Sequence, residues 1–168
     1  MAYDMHLKFE GGKLNIIGNS EHSKHKKEVP ILSWSWGASN TGDLHTGDGS
    51  AMGGKAQVRD ISILKYVDGC SHAFLQGTCS GDRAENCTIS VSNAVGEQED
   101  FVILKLSKGV MIRSVSTGGS MGDDRLTEQV TLHFGAFRFE FKGQDSKGTN
   151  LATKTYEFNM REVKGQVS

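Results

Sequence analysis

Alternation of apolar and polar side chains with a period of two runs through most of this chain. In the first such segment the apolar set is Tyr3, Met5, Leu7 and Phe9, and the polar set is Asp4, His6, Lys8 and Glu10. The same alternation recurs in segments 87–95 and 156–160. Each segment therefore predicts an antiparallel strand that buries one face and exposes the other.

Two other segments, 61–66 and 101–106, have apolar residues on both faces. Strands of that kind lie between sheets or under a subunit contact. In segment 130–141 the apolar residues move from even to odd positions at Gly135 and Ala136. A glycine at such a change of phase predicts a bulge or a bend in the strand.

One helix is predicted, over residues 71–80. Ser71 belongs to the residue types that cap helices, Gly81 is suited to end one, and Gly77 weakens the helix propensity of the segment. Together with about eight strands and turns rich in Gly, Asn and Asp, these features predict a mainly β fold. The expected architecture is a compact β-barrel or sandwich of two packed antiparallel sheets with one short helix.

A glycine-rich segment follows Trp34 and Trp36, the only tryptophans of the chain. From Gly37 to Gly54 it contains six glycines and no helix or strand period. Loops longer than about 12–15 residues without secondary structure are uncommon in compact domains and are usually functional or disordered. We therefore expect residues 38–54 to form a long protruding loop that docks on another surface, and the tryptophans to be core anchors beside it.

Length and composition narrow the class of protein. The 168 residues fit a single domain, with residues 161–168 as a loose polar tail. A net charge of -1 gives no general attraction to nucleic acid or anionic membranes. No segment has the length and apolarity of a signal peptide or a membrane span. We therefore expect assembly in the cytoplasm, no membrane insertion, and any export by a route without a cleaved leader.

Candidate catalytic and metal-binding groups are sparse. His22 and His25 lie three residues apart in a lysine-rich loop, but no third ligand is near them in the sequence. The segment 116–124 lacks the lysine and the helix of a P-loop and is typical of a hairpin turn, with Asp124 and Arg125 in a surface or an inter-subunit ion pair. We predict no enzyme activity, no cofactor and no metal site. The cysteines, which we expect to be reduced, are Cys70, Cys79 and Cys87.

Three sequence motifs together indicate a family. They are VPILSWSWG at 29–37, KAQVRDISILKYVDG at 55–69 and SVSTGGSMGDDRLTEQVTLHF at 114–134. With these motifs the chain resembles the Hcp family, the haemolysin-coregulated tube proteins of the bacterial type VI secretion system. The resemblance spans nearly the whole chain, and it is weakest in the loop 12–28.

The resemblance implies a homohexameric ring with a wide lumen. Such rings stack into a tube inside a contractile sheath, beneath a trimeric spike protein. The tube is propelled out of the cell into the medium or a target cell and carries small effector proteins. Segments 61–66 and 101–106 would lie at the ring flanks or be central strands. Two alternatives from other classes are a monomeric β-sandwich binding module, for example for sugars, and a small hydrolase.

Particular residues follow from that implied ring. The loop 38–54 is the candidate for ring stacking, with a solvated loop as the alternative. The loop residues expected to contact a neighbouring subunit are Leu44, His45 and Met52. If the tryptophans face the core, Ser35 faces away from it and lines the lumen, with Ser120 also reaching the lumen to contact cargo. The opposite assignment places Ser35 on the outer surface.

Overall fold

The computed structural model describes residues 3–42, 54–94, 98–144 and 149–168. Within these ranges lie eleven strands and one helix, in agreement with the predicted mainly β fold. The elements are β1 (Tyr3–Gly12), β2 (Val29–Pro30), β3 (Ser33–Ser35), β4 (Ala38–Asn40), β5 (Ala56–Val58), β6 (Ile61–Tyr66), α1 (Ser71–Ser80), β7 (Arg83–Asn93), β8 (Asp100–Gly118), β9 (Thr127–Phe141), β10 (Lys154–Asn159) and β11 (Lys164–Val167).

Nine of the described strands form one antiparallel sheet, whose main path is β11-β10-β9-β8-β7-β1-β2. The long β8–β9 hairpin is its centre. One edge of β9 pairs with β8 along its length, while the other edge pairs with β10 at one end and with β6 at the other. Strand β3 continues the sheet beyond β6. In the described ranges no pairing joins β2 to β11, so the layers pack without closing into a barrel.

The core is a single cluster of buried apolar side chains enclosed by these layers. Each fully buried aliphatic or aromatic side chain contributes about 1.5–3 kcal/mol through the removal of its surface from water. Members with no exposed surface include Leu7, Val29, Ile61, Phe74, Cys87, Ile89, Leu104, Leu106, Val110, Val130 and Leu132. They come from β1, β2, β6, α1, β7, β8 and β9, so the core fixes which face of each strand points outward.

The helix has the predicted bounds, and Gly81 ends it in a left-handed conformation, with its N–H donating to the carbonyl of Gly77 at 3.0 Å. The predicted cap is wrong. Cys70 occupies the N-cap position without a capping side-chain bond, and Ser71 is the first helical residue. Its hydroxyl donates to the buried Glu128 carboxylate at 2.6 Å instead. At Gly77 a Cβ would lie 2.5 Å from Leu14 Cδ1, so the glycine permits close packing of the helix.

The bulge expected at Gly135 lies on the partner strand. Ser107 pairs with Ala136 and Val110 pairs with Phe134, so two residues of β8 face one residue of β9. Those two residues, Lys108 and Gly109, have φ values of 60° and 90°. A Cβ at Gly135 would lie 2.7 Å from the Lys108 carbonyl oxygen. The glycine therefore accommodates the bulge opposite it.

The expectation of a loose tail over residues 161–168 is wrong. The tail contains β11, which pairs antiparallel with β10. Thr155 and Ser168 also exchange backbone hydrogen bonds of 2.7 and 3.0 Å. The sequence conceals this strand because all four residues of β11 are exposed at the sheet edge, so no apolar alternation marks it.

The segments that are apolar on both faces bury only one of them. In β6 the side chains of Ile61 and Ile63 are buried, whereas Leu64 remains 37% exposed. In residues 101–106 of β8 the buried side chains are Leu104 and Leu106. The sequence-based expectation of strands between two sheets is therefore wrong for the isolated chain, and part of their apolar surface is accessible.

Candidate functional site

An uncharged polar surface covers the outward side of β3, β6, β9 and β8. Cross-strand pairing places Ser35 beside Ser62 and Ser62 beside Thr131, and Gln129 Nε2 donates to Ser62 Oγ at 3.2 Å. The pattern arises because the alternate residues of these strands, such as Ile63 and Val130, face the core. We call this surface the polar face; it consists of Ser33, Ser35, Ser62, Leu64, Ser114, Ser116, Gln129 and Thr131.

Charged and aromatic groups border the polar face at both ends. At one end Asp60 accepts hydrogen bonds from His133 Nδ1 at 2.7 Å and from Arg113 at 3.0 Å. At the other end the Arg125 guanidinium lies 3.9 Å from the centre of the Tyr66 ring. Arg125 thus makes a cation–π contact on its own subunit. The polar face therefore offers neutral hydrogen-bonding groups between charged margins, an arrangement suited to contact with a polar protein surface.

Both tryptophans lie beside this face, half-buried, with their side chains packed against the core cluster. Trp34 pairs with Ile63, on the side of the sheet opposite to the polar face. The ring of Trp36 meets Phe137 edge-on at 4.7 Å between ring centres, and its indole N–H donates to the Arg59 carbonyl at 3.0 Å. Ser35, between them, is exposed on the polar face.

Ser120 lies in the turn between β8 and β9, where it is exposed. Its backbone N–H donates to the Asp123 carboxylate at 2.9 Å, and its carbonyl accepts from the Asp123 N–H at 3.1 Å. These reciprocal bonds fix the turn. Ser120 therefore lies at the tip of the hairpin whose strands carry Ser114, Ser116 and Gln129 of the polar face.

Two short strands enclose most of the glycine-rich segment and pair with each other as a β-hairpin. Strands β4 and β5 pair from Ala38 with Val58 to Asn40 with Ala56, forming a two-stranded sheet separate from the nine-stranded one. Their side chains are exposed, except for the half-buried Val58. The predicted loop 38–54 is thus partly strand. Its predicted contact residues Leu44, His45 and Met52 lie outside the described residues.

A buried ionic network lies beneath the polar face and was not predicted. The Lys65 ammonium donates to Glu128 at 2.6 Å and to Asp68 at 2.9 Å, and both Lys65 and Glu128 are almost fully buried. Burial by itself lowers the pKa of Lys65, but these two hydrogen bonds outweigh it and the net shift is upward. With the Ser71 bond to Glu128, the network fixes α1 to β6 and β9.

The described residues contain no group of three or more His, Cys, Asp or Glu side chains arranged to hold a metal ion. Within the same ranges no helix is long and apolar enough to cross a bilayer. Cys70, Cys79 and Cys87 are free thiols.

Comparison with known proteins agrees with this description. The family described as "Type VI secretion system effector, Hcp" matches residues 6–141. A protein named hcp1 from Pseudomonas aeruginosa is 37% identical over 164 residues, which are 96% of this chain and 98% of that protein. The crystal structure of Hcp1 from Salmonella typhimurium has a TM-score of 0.78 and 26% identity, covering 99% of this chain and all of that one.

A further solved structure, "Structure of a type six secretion system protein", has a TM-score of 0.89 at 23% identity and covers 98% of this chain and 100% of that one. The fold is therefore that of a mainly β protein of the type VI secretion system. The family match and the 37% identity identify the group within that class. This chain belongs to the Hcp family, and the resemblance noted in its motifs is confirmed.

Proposed function

We propose that this chain is the structural subunit of the inner tube of a type VI secretion system. Six copies close into a ring, and rings stack into a tube that carries effector proteins in its lumen. The tube lies within the contractile sheath, meets the trimeric spike protein at its tip, and is propelled out of the cell. The observation that supports this proposal best, beyond family membership, is the separate β4–β5 hairpin.

A hairpin that pairs only with itself needs a partner surface. Isolated two-stranded sheets are at best marginally stable in water. In the described residues β4 and β5 have no third strand, and their exposed side chains add little burial. Docking of the hairpin and the glycine-rich segment on an adjacent ring supplies the missing contacts. Leu44, His45 and Met52 are the proposed contact residues, and the apolar Leu44 and Met52 favour a buried position there.

Ring closure requires two different flanks on each subunit that fit each other. The main path of the described sheet ends at β2 and at β11, and its branch ends at β3. The β11 end also exposes apolar groups, including Tyr156 at 41% and Val167 at 77%. An exposed edge of this kind readily pairs with another chain. We assign the sheet ends and the accessible apolar residues of β8 to the flanks of the ring.

The polar face is the proposed wall of the lumen, with Ser35 and Ser120 as cargo contacts. A wall without charged side chains binds a folded effector through many weak, reversible hydrogen bonds and releases it without breaking ion pairs. Replacing Ser35 by glutamine adds bulk on this face, so effector retention should fall several-fold while rings still form. Ser23→Gln is the matched control, because Ser23 is exposed outside the polar face. Equal effector retention by both variants would show that Ser35 does not contact the cargo.

The stacking role is tested by removing residues 42–53. A matched variant replaces residues 43–53 by a glycine–serine segment of the same length. Under conditions in which the parent protein forms tubes, both variants should give rings and no tubes in negative-stain micrographs. Long tubes formed by either variant would exclude the loop as the stacking element.

A further inference from the structure

Three histidines form a compact cluster beside the β2 end of the sheet. His6 comes from β1, and His22 and His25 come from the connection between β1 and β2. The rings of His6 and His25 stack at 4.6 Å with an 11° angle between planes. The ring of His22 lies 5.2 Å from each of the other two.

His25 joins this connection to β8. It is buried, and its Nδ1 lies 2.8 Å from Glu28 while its Nε2 lies 3.0 Å from Asp100. His25 therefore joins the connection to the start of β8 through these two carboxylates.

The other two histidines make fewer hydrogen bonds. His22 Nδ1 accepts the backbone N–H of Lys24 at 3.3 Å. In the described structure, His6 Nδ1 and His22 Nε2 are buried without a hydrogen-bond partner. Protonation of His6 would place a positive charge in a ring stacked on His25. Burial, together with the charges of His25 and His22, lowers the pKa of His6 from 6.5 to about 4.

The connection itself is a closed loop. Gly18 N–H donates to the Lys27 carbonyl at 2.8 Å, and Lys27 N–H donates to the Ser20 carbonyl at 2.9 Å. The loop is attached to the sheet at its end, where β2 pairs with β1 through only two residue pairs. The histidine cluster is therefore a main attachment of residues 18–28 to the rest of the chain.

We propose that His6, His22 and His25 form an acid-sensitive latch, which holds residues 18–28 against β1 and β8 at neutral pH and releases them in mild acid. The lowered pKa of His6 means that the closed stack resists protonation, so mild acid favours the opened loop, in which His6 can take up a proton in water. The charged groups facing the cluster are Asp4 on β1, Glu28 in the loop and Asp100 on β8. Glu28 and Asp100 are already engaged by His25. The neighbour of His6 on β7 is the uncharged Ser90.

Release of the latch would uncover the outer edge of β1. Local opening of this kind need not unfold the core, because the loop contributes few residues to it. The latch is a property of the single chain and is independent of the proposed tube.

Hydrogen–deuterium exchange of the full chain between about pH 7.5 and about pH 5 tests the latch. After correction for the intrinsic pH dependence of exchange, a change in the pKa of His6 from 6.5 to about 4 predicts a roughly 10- to 30-fold increase in opening of residues 18–28 at the lower pH. Peptides from the β8–β9 core should keep their protection. Equal protection of residues 18–28 at both pH values would overturn the proposal.

His6→Phe keeps a ring in the stack but cannot titrate, so it should abolish most of the acid response. The control is His72→Gln, an exposed helix position, which should respond like the parent. His22→Gln is the second variant should His6→Phe fail to fold, and it should reduce the response. An unchanged response in the folded variants contradicts the latch. Protection of residues 18–28 by Zn²⁺ alone, lost in His6→Phe, would identify a metal site and overturn it as well.

Discussion

At the scale of single residues, the Lys65–Glu128 pair places two opposite charges in the core, both without appreciable exposure. Removing one member leaves the other charge buried with fewer partners, which typically costs about 3–5 kcal/mol. Because Asp68 still accepts from Lys65, we expect Glu128→Gln to lower the free energy of unfolding by about 2–4 kcal/mol. Urea denaturation at a fixed subunit concentration measures this change.

The control for that prediction is Glu10→Gln. Glu10 pairs with Lys8 at 2.8 Å, but both side chains are about half exposed. Exposed ion pairs contribute about 0–1 kcal/mol, so this variant should be nearly as stable as the parent. Similar losses of unfolding free energy in Glu128→Gln and Glu10→Gln would show that burial does not increase the contribution of the Lys65–Glu128 pair to stability.

The three cysteines should differ sharply in reactivity. Burial raises the pKa of Cys70 to about 12, and it also raises the pKa of the fully buried Cys87 thiol. Cys79 is exposed at the end of the helix. Because the thiolate is the reactive form, a thiol reagent at about pH 8 should label one cysteine rapidly in the native protein and all three in denaturant. Rapid labelling of three thiols in the native protein would contradict the described packing.

The sequence contains a signal for the buried pair in the phase of its strands. Lys65 lies in the same strand phase as Ile61 and Ile63, and Glu128 in the same phase as Val130. A lone charge in phase with a buried face, matched by the opposite charge on another strand, indicates an ion pair in the core. His6 gave no such signal. It lies in the polar phase of β1 and is buried only because residues 18–28, distant in sequence, fold over it.

At the scale of elements, the turn after β1 depends on backbone contact. Gly12 has a φ of 76°, and a Cβ there would lie 2.3 Å from the Arg83 carbonyl oxygen. That oxygen accepts the N–H groups of Lys13 and Leu14 at 3.0 and 3.1 Å. We expect Gly12→Ala to lower the free energy of unfolding by about 3 kcal/mol, the sum of left-handed strain and a backbone displacement. Chemical denaturation measures this loss.

Gly81→Ala is the matched control for the turn. Gly81 also has a positive φ, 71°, but a Cβ there meets no atom within 4 Å. Only the conformational strain remains, about 1–2 kcal/mol. Equal losses in the two alanine variants would show that the approach of the Arg83 carbonyl to Gly12 has no energetic consequence.

The elements that could be predicted are those whose own residue pattern shows which face is buried or where the element ends. The alternation in β1 and the flanking residues of the helix are examples, because one buried face or one terminal glycine suffices to mark them. The bulge at Lys108 and Gly109 appeared only indirectly, through Gly135 on the opposite strand. β11 could not be predicted, since its pairing with β10 is a backbone interaction and its side chains remain exposed.

At the scale of the whole molecule, the single chain leaves several surfaces without a partner. The β4–β5 hairpin is separate from the main sheet, and the main path of that sheet ends at β2 and β11. The polar face, in contrast, consists, apart from Leu64, of groups that water satisfies well. An assembly that covers the first set of surfaces and leaves the polar face open to a lumen accounts for both. From its alternation with the tryptophans, the sequence predicted that Ser35 faces away from the core, and Ser35 is exposed. The extent of the polar face, in contrast, depends on strand register.

The assembly state of the purified protein tests the central claim most directly. Native mass spectrometry should give a species of about 110 kDa, six times the mass of the 18.3 kDa chain, as expected for a closed ring. A species that remains at 18.3 kDa at the concentrations used would contradict the tube-subunit account and favour a monomeric β-sandwich binding module.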